Sequence, residues 1–122
     1  MISFEELVLG TGIPIYLQII LYVKRGMAAG TIQNGDEMPS RRVLSALLGV
    51  NPNTIQKAYR MLEEEGLICS HAGAKSYASV SEAQKKQIRR ELLENEAKTL
   101  VEAMKQMGVT KEEAVDLIET LR

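Results

Sequence analysis

A mainly α-helical fold carrying one small β-hairpin is the class this sequence predicts, on three observations. Residues 39–66 hold two short amphipathic stretches, each opened by a capping residue and closed by a glycine. Residues 67–80 change to two β-prone runs about a four-residue turn. Residues 81–122 return to helical spacing. Helix, turn, helix, hairpin is the order of a winged helix-turn-helix, here followed by a C-terminal two-helix extension. The expected division is a winged helix-turn-helix unit over residues 1–80 and a helical dimerisation region over 81–122.

Taken in order, Ile2, Phe4, Leu7 and Val8 precede Gly10-Thr11-Gly12, a segment too short and broken to form an element. It is expected to pack on the body or on a partner. Pro14 suits the opening of a helix that runs to residue 29 and is closed by Gly30. Ile15, Ile19, Tyr22, Val23 and Met27 are its candidates for a buried face. Residues 31–38 form a connector with an Asn34-Gly35 turn signal, and Met38, just before Pro39, suits a short edge strand.

Ser40 can cap a second helix whose Val43, Leu44, Leu47 and Leu48 repeat at three- and four-residue intervals, with Gly49 ending it. Asn51 is a capping type, Pro52 fits the first helical position, and Gly66 stops the third helix. Successive helical residues turn by about 100°, so Ile55, Ala58, Tyr59 and Leu62 share one side. Asn53, Lys57, Arg60 and Glu64 fall opposite, flanked by Thr54 and Gln56. The exposed side chains of the first turns can donate hydrogen bonds to phosphates or read base edges, as a helix entering a major groove must.

Charge distribution supports that use of the helix. The chain has 122 residues, 45% of them apolar, and a formal charge of -1, so it is not basic overall. From Met38 to Leu62, however, there is no acidic residue, while Arg41, Arg42, Lys57 and Arg60 are positive. A local basic patch is what phosphate neutralisation needs. Tyr59 and Tyr22 lie on the apolar sides of their helices and read as core.

Leu67-Ile68-Cys69-Ser70 and Lys75 to Val80 are the two runs of the hairpin, and a hairpin directly after a recognition helix is a wing. Its tip is expected against DNA backbone or a minor groove, where Gly73 permits close approach and Lys75 supplies charge. Tyr77 suits wing packing and backbone contact equally. Cys69 and His71 lie two apart on a strand, but a catalytic pair needs an enclosing pocket and an orienting third group. The sequence offers neither, so no enzyme activity is expected.

Ser81 with Gln84 is a capping-box pattern starting a helix to about residue 107, in which Ile88, Leu92, Leu93, Leu100, Val101 and Met104 keep helical spacing. Gly108 stops it. Thr110 with Glu113 opens a last helix with Ala114, Leu117, Ile118 and Leu121 on one face. Two such helices bury no core of their own, so homodimerisation through those six residues of the long helix is expected.

Composition excludes other classes. Cys69 and His71 are the sole cysteine and histidine, leaving no intrachain disulfide and no four-ligand Cys/His zinc set. No metal or cofactor is expected. No apolar run approaches the roughly 20 residues that span a bilayer. Glu5 and Glu6 stand where a signal peptide would be basic, so a cytoplasmic location is expected.

The run Pro14-Ile15-Tyr16-Leu17-Gln18-Ile19, then Gly30, Gly35 to Leu44, Asn51 to Tyr59 and Leu62 to Ile68 resembles the winged-helix domain of GntR-type bacterial transcriptional regulators. The tail with Gly108 to Glu113 is similar to that of the YtrA-type subfamily. The resemblance implies a dimeric repressor on a two-fold symmetric double-stranded operator, often near genes for ABC transport systems. Position by position it makes Arg42 a base-contacting arginine and Asn51, Asn53 and Thr54 the polar positions opening the recognition helix. Face geometry adds Gln56, Lys57 and Arg60; Ser40 and Arg41 sit at the same helix start. The chain departs from the family at the wing tip, where Gly73-Ala74-Lys75-Ser76-Tyr77 stands in place of Gly-Lys-Gly followed by Ser or Thr and an aromatic.

A protein-interaction module on the same fold is the competing reading, disfavoured by a donor-rich face lacking aromatic anchors. Roughly 40 residues after the wing cannot enclose a ligand pocket of several hundred Å³. An unidentified small-molecule effector would therefore act in the crevice between wing domain and dimer helices.

Overall fold

The computed structural model describes residues 1–70 and 75–122, so the wing tip and the expectation placed on Gly73 lie outside the described residues. In chain order come α1 (Ile15–Ala29), α2 (Arg41–Leu48), α3 (Pro52–Glu64), β1 (Ile68–Ser70), β2 (Ser76–Ala78), α4 (Glu82–Gln106) and α5 (Lys111–Leu121). The mainly helical fold with a small antiparallel sheet follows the predicted class. The chain divides into two compact units, Met1–Arg89 and Arg90–Arg122.

In the first unit α3 is the central helix. Ile55, Ala58, Tyr59 and Leu62 have no exposed surface, because their spacing puts them on the side packed against α1 and α2. α1 contributes Ile19, Ile20, Val23 and Met27 to this core. Its face differs from the expected one: Ile15 and Tyr22 are half-buried, and the polar Gln18 is buried instead. Gln18 can lie there because its amide is satisfied. It accepts from the Gly10 backbone N–H at 2.8 Å and donates to the Gly10 and Ile13 carbonyls at 3.0 and 2.9 Å.

That amide holds one end of the N-terminal arm, and Ile2 and Phe4, both buried, hold the other. The Ile2 N–H donates to the Glu37 carbonyl at 2.8 Å. The Tyr22 hydroxyl donates to the Ser3 carbonyl at 2.8 Å while its ring lies 5.0 Å from that of Phe4. The arm thus packs on the body. Gly26 lets the connector cross α1 closely, since a Cβ there would come within 2.5 Å of Ile32 Cδ1.

α2 is one stripe out from its expected register. Its caps are as predicted: Ser40 Oγ accepts from the Val43 N–H at 3.1 Å, and Gly49 adopts φ 65°. Of Val43, Leu44, Leu47 and Leu48, however, Leu44 is buried and Leu48 half-buried, while Val43 and Leu47 are more than half exposed. Ser45 takes the second buried place, because its hydroxyl donates to the Val50 carbonyl at 2.6 Å and needs no water. A helix of eight residues touches its neighbour along a narrow line, which periodicity alone does not locate.

β1 and β2 pair Ile68 with Ala78, Cys69 with Tyr77 and Ser70 with Ser76. The edge expected at Met38 is present as a single bridge, Glu37 to Tyr77, reinforced by Met38 N–H to Ser76 O and Ala78 N–H to Asp36 O, both 2.8 Å. The capping box opening α4 is reciprocal, with Ser81 N–H to Gln84 Oε1 at 2.8 Å and Gln84 N–H to Ser81 Oγ at 3.1 Å.

In the second unit Gly108, at φ 70°, ends α4, and Thr110 Oγ1 accepts from the Glu113 N–H at 3.2 Å to start α5. No helix among the described residues is long and apolar enough to cross a membrane.

Candidate nucleic-acid interface

The buried side of α3 fixes what its other side presents. Asn53, Gln56, Lys57 and Arg60 are exposed and Thr54 is half-buried, as expected of the face opposite Ile55, Ala58, Tyr59 and Leu62. Asn51 Oδ1 accepts from the Asn53 N–H at 2.8 Å and so is the N-cap. Pro52 occupies the first turn, and that turn carries no acid. Neither α2 nor α3 carries an acid of its own in its first turn, so each presents the positive end of its dipole.

The acids of α3 gather at its other end, where each finds a cation. Arg41 Nη2 lies 3.2 Å from Glu63, Lys24 Nζ 2.8 Å from Glu65, and Arg60 Nε 4.0 Å from Glu64. The last is an exposed pair one helical turn apart, a weak contact that leaves Arg60 available to another anion.

The basic residues differ in what occupies them. Arg42 is exposed, with no ion pair to another described residue. Arg41 is half-buried, with its guanidinium carbon 5.0 Å over the Tyr59 ring and its Nε–H buried without a partner among the described residues. Lys57 extends over the Tyr16 ring at 4.0 Å, which brings the start of α1 beside the exposed face of α3. Lys75, just before β2 on the tip side of the hairpin, is exposed with Nζ 3.9 Å from Glu37 Oε1. Ser40 is exposed and engaged as the cap of α2.

Tyr59 is core, as expected. Its hydroxyl donates to the Pro39 carbonyl at 2.6 Å, and burial pushes the phenol well above its ordinary range, against a smaller lowering by Arg41. Tyr16, Glu63 and Ser70 belong to the site's surroundings and were not singled out from sequence. The Lys57 and Glu63 contacts are long-range, and no local signal in the sequence marks them.

Of the six residues expected at a dimer interface, Ile88 and Met104 are buried within the chain and Leu92 is half-buried. Leu93, Leu100 and Val101 remain exposed. Separately, an open cleft of about 720 Å³ lies beside the N-terminal arm, with Glu5, Glu6, Tyr22, Arg25 and Asp36 in its lining. Burial and the Glu6 carboxylate hold the Tyr22 phenol above its ordinary value there.

Comparison with known proteins agrees with this geometry. Residues 15–77 match the family described as bacterial regulatory proteins, gntR family. The chain is 38% identical over 105 residues to the HTH-type transcriptional repressor YtrA of Bacillus subtilis strain 168, covering 86% of this chain and 68% of that one. A GntR family transcriptional regulator from Listeria monocytogenes superposes with a TM-score of 0.83 at 29% identity, over 93% of this chain and 100% of its own. The DNA-binding domain of AraR, solved in complex with operator ORX1, superposes at 0.52 and 25% identity, over 63% of this chain and 93% of its own.

Proposed function

The chain belongs to the gntR family of bacterial regulatory proteins, and from that premise we propose that it is a homodimeric repressor reading a two-fold symmetric operator with paired α3 helices. The observation that carries this is the division of α3 into a side with no exposed surface, Ile55, Ala58, Tyr59 and Leu62, and an opposite side of hydrogen-bond donors. Those donors face solvent, where an outside ligand can take the place of their water. A duplex suits them, since amides and guanidinium groups pair bidentately with purine edges in the major groove.

In this reading Arg42, Asn53 and Gln56 face base edges, while Ser40, Thr54, Lys57, Arg60 and Lys75 meet phosphates. Asn51 acts chiefly by capping α3, and Gly73 allows the wing tip to approach the backbone. Arg41 lies beside this surface, its guanidinium paired with Glu63 and resting over the Tyr59 ring. Residues 1–80 bind DNA and 81–122 pair the two copies. The exposed Leu93, Leu100, Val101 and Met107 support the pairing, for a helix rarely leaves so many large apolar residues in water without a partner. The repressor named YtrA supports the sign of regulation, and transporter genes are the regulated set that the YtrA-type resemblance implies.

The test is a mobility shift on DNA upstream of the protein's own operon, repeated across salt. A specific complex should form and weaken steeply, with log affinity falling by about 0.9 per phosphate contact for each unit of log salt. A chain that forms no salt-sensitive complex contradicts the proposal.

A further inference from the structure

Glu63 sits where three elements meet. A single carboxylate oxygen, Oε1, accepts from Arg41 Nη2 at 3.2 Å and from Ser70 Oγ at 2.8 Å. Ser70 Oγ in turn lies 3.1 Å from the hydroxyl of Ser76, a buried residue. Ser70 and Ser76 are the register pair nearest the wing tip. The contact chain Arg41, Glu63, Ser70, Ser76 therefore runs from the first turn of α2, over the last turn of α3, to both strands of the hairpin.

Its α2 end is held as firmly. The Arg41 guanidinium lies against the Tyr59 ring, and the Tyr59 hydroxyl is bonded to the carbonyl of Pro39, next to the cap of α2. The Arg41 Nε–H is buried and has no partner among the described residues. The hairpin is paired over only three positions; residues 36–38 brace β2 through Met38 N–H to Ser76 O and Ala78 N–H to Asp36 O, and the Glu63–Ser70 contact adds a side-chain tie to β1.

We propose that Arg41 and Glu63 are positioning residues that set the angle of the wing relative to α3, so that helix and wing engage the duplex together. Ser70 and Ser76 pass the constraint to the strands. The inference rests on the DNA-binding reading above, and it gives the arginine at position 41 a role that needs no contact with DNA.

Charge alone predicts the opposite sign of effect at Glu63, which makes the inference testable. Removing an acid from the DNA-reading helix should strengthen binding if Glu63 acts only through its field. If Glu63 orients the wing, Glu63→Ala should instead weaken operator binding by about tenfold, as coupled contacts of this kind do. Arg41→Ala should cost about the same, and the double variant no more than either single one. Ser70→Ala, a change at an exposed serine that leaves the core intact, should shift binding in the same direction by about threefold. Thermal melts run alongside separate lost folding from lost orientation. Glu63→Ala and Ser70→Ala binding as tightly as wild type, or tighter, would overturn the inference while leaving the regulator reading in place. A wild-type chain that binds no operator would overturn both.

Discussion

Arg42→Ala should weaken binding to the preferred operator by about 1–3 kcal/mol, roughly fivefold to 150-fold, without lowering thermal stability. The asymmetry between binding and stability is what makes the variant informative. Arg42 is exposed at the start of α2 and ion-pairs with no other described residue. A positive charge near a helix N-terminus is disfavoured by about 0.3–1 kcal/mol, so the fold gains nothing from this side chain. Fluorescence anisotropy on a labelled operator, paired with a thermal melt of the free protein, measures both quantities. Loss of affinity with an unchanged or slightly higher melting temperature is the expected result.

Tyr59 should show the reverse pattern. Tyr59→Ala should destabilise the fold by about 3–5 kcal/mol, the usual cost of removing a large buried aromatic. It empties a position with no exposed surface between α2 and α3, and removes the ring against which Arg41 rests. Tyr59→Phe keeps the ring but orphans the Pro39 carbonyl, costing about 1–3 kcal/mol. Alkaline pH separates wild type from Tyr59→Phe further. Burial raises the folded-state pKa of Tyr59 above its ordinary 10.0, so the neutral phenol's contribution is complete below pH 10.0. It is lost as pH rises through the folded value. Urea titrations at neutral pH and above pH 10 should show a steeper alkaline loss for wild type than for Tyr59→Phe.

Local chemistry made most of the fold legible. Ser40, Asn51, the Ser81–Gln84 box and the Thr110–Glu113 box each satisfy backbone N–H groups within three residues, which is why a linear sequence displays them. The two faces of α3 were legible because its 13 residues give periodicity several turns to declare itself. α2 is shorter and its stripe was displaced, with the buried place of Ser45 set by a hydrogen bond to Val50. The arm over Tyr22 and Gln18 was undetermined, since those contacts depend on α1 already being in place.

The same division runs through the candidate site. Arg42, Asn53, Gln56, Lys57 and Arg60 could be named from helical geometry and resemblance, because exposure on a helix follows from spacing. That Arg41 faces Glu63 and Lys57 faces Tyr16 could not. Those partners are 22 and 41 residues apart in sequence, and no periodic signal connects them.

The central claim is that the donor face of α3 enters the major groove twice on one duplex. A guanine-methylation interference footprint on an operator selected from random DNA tests it most directly. The account predicts two major-groove patches of interference about one helical turn apart, roughly 34–36 Å, each abolished by Asn53→Ala. A single patch, or a pattern indifferent to Asn53, would contradict it.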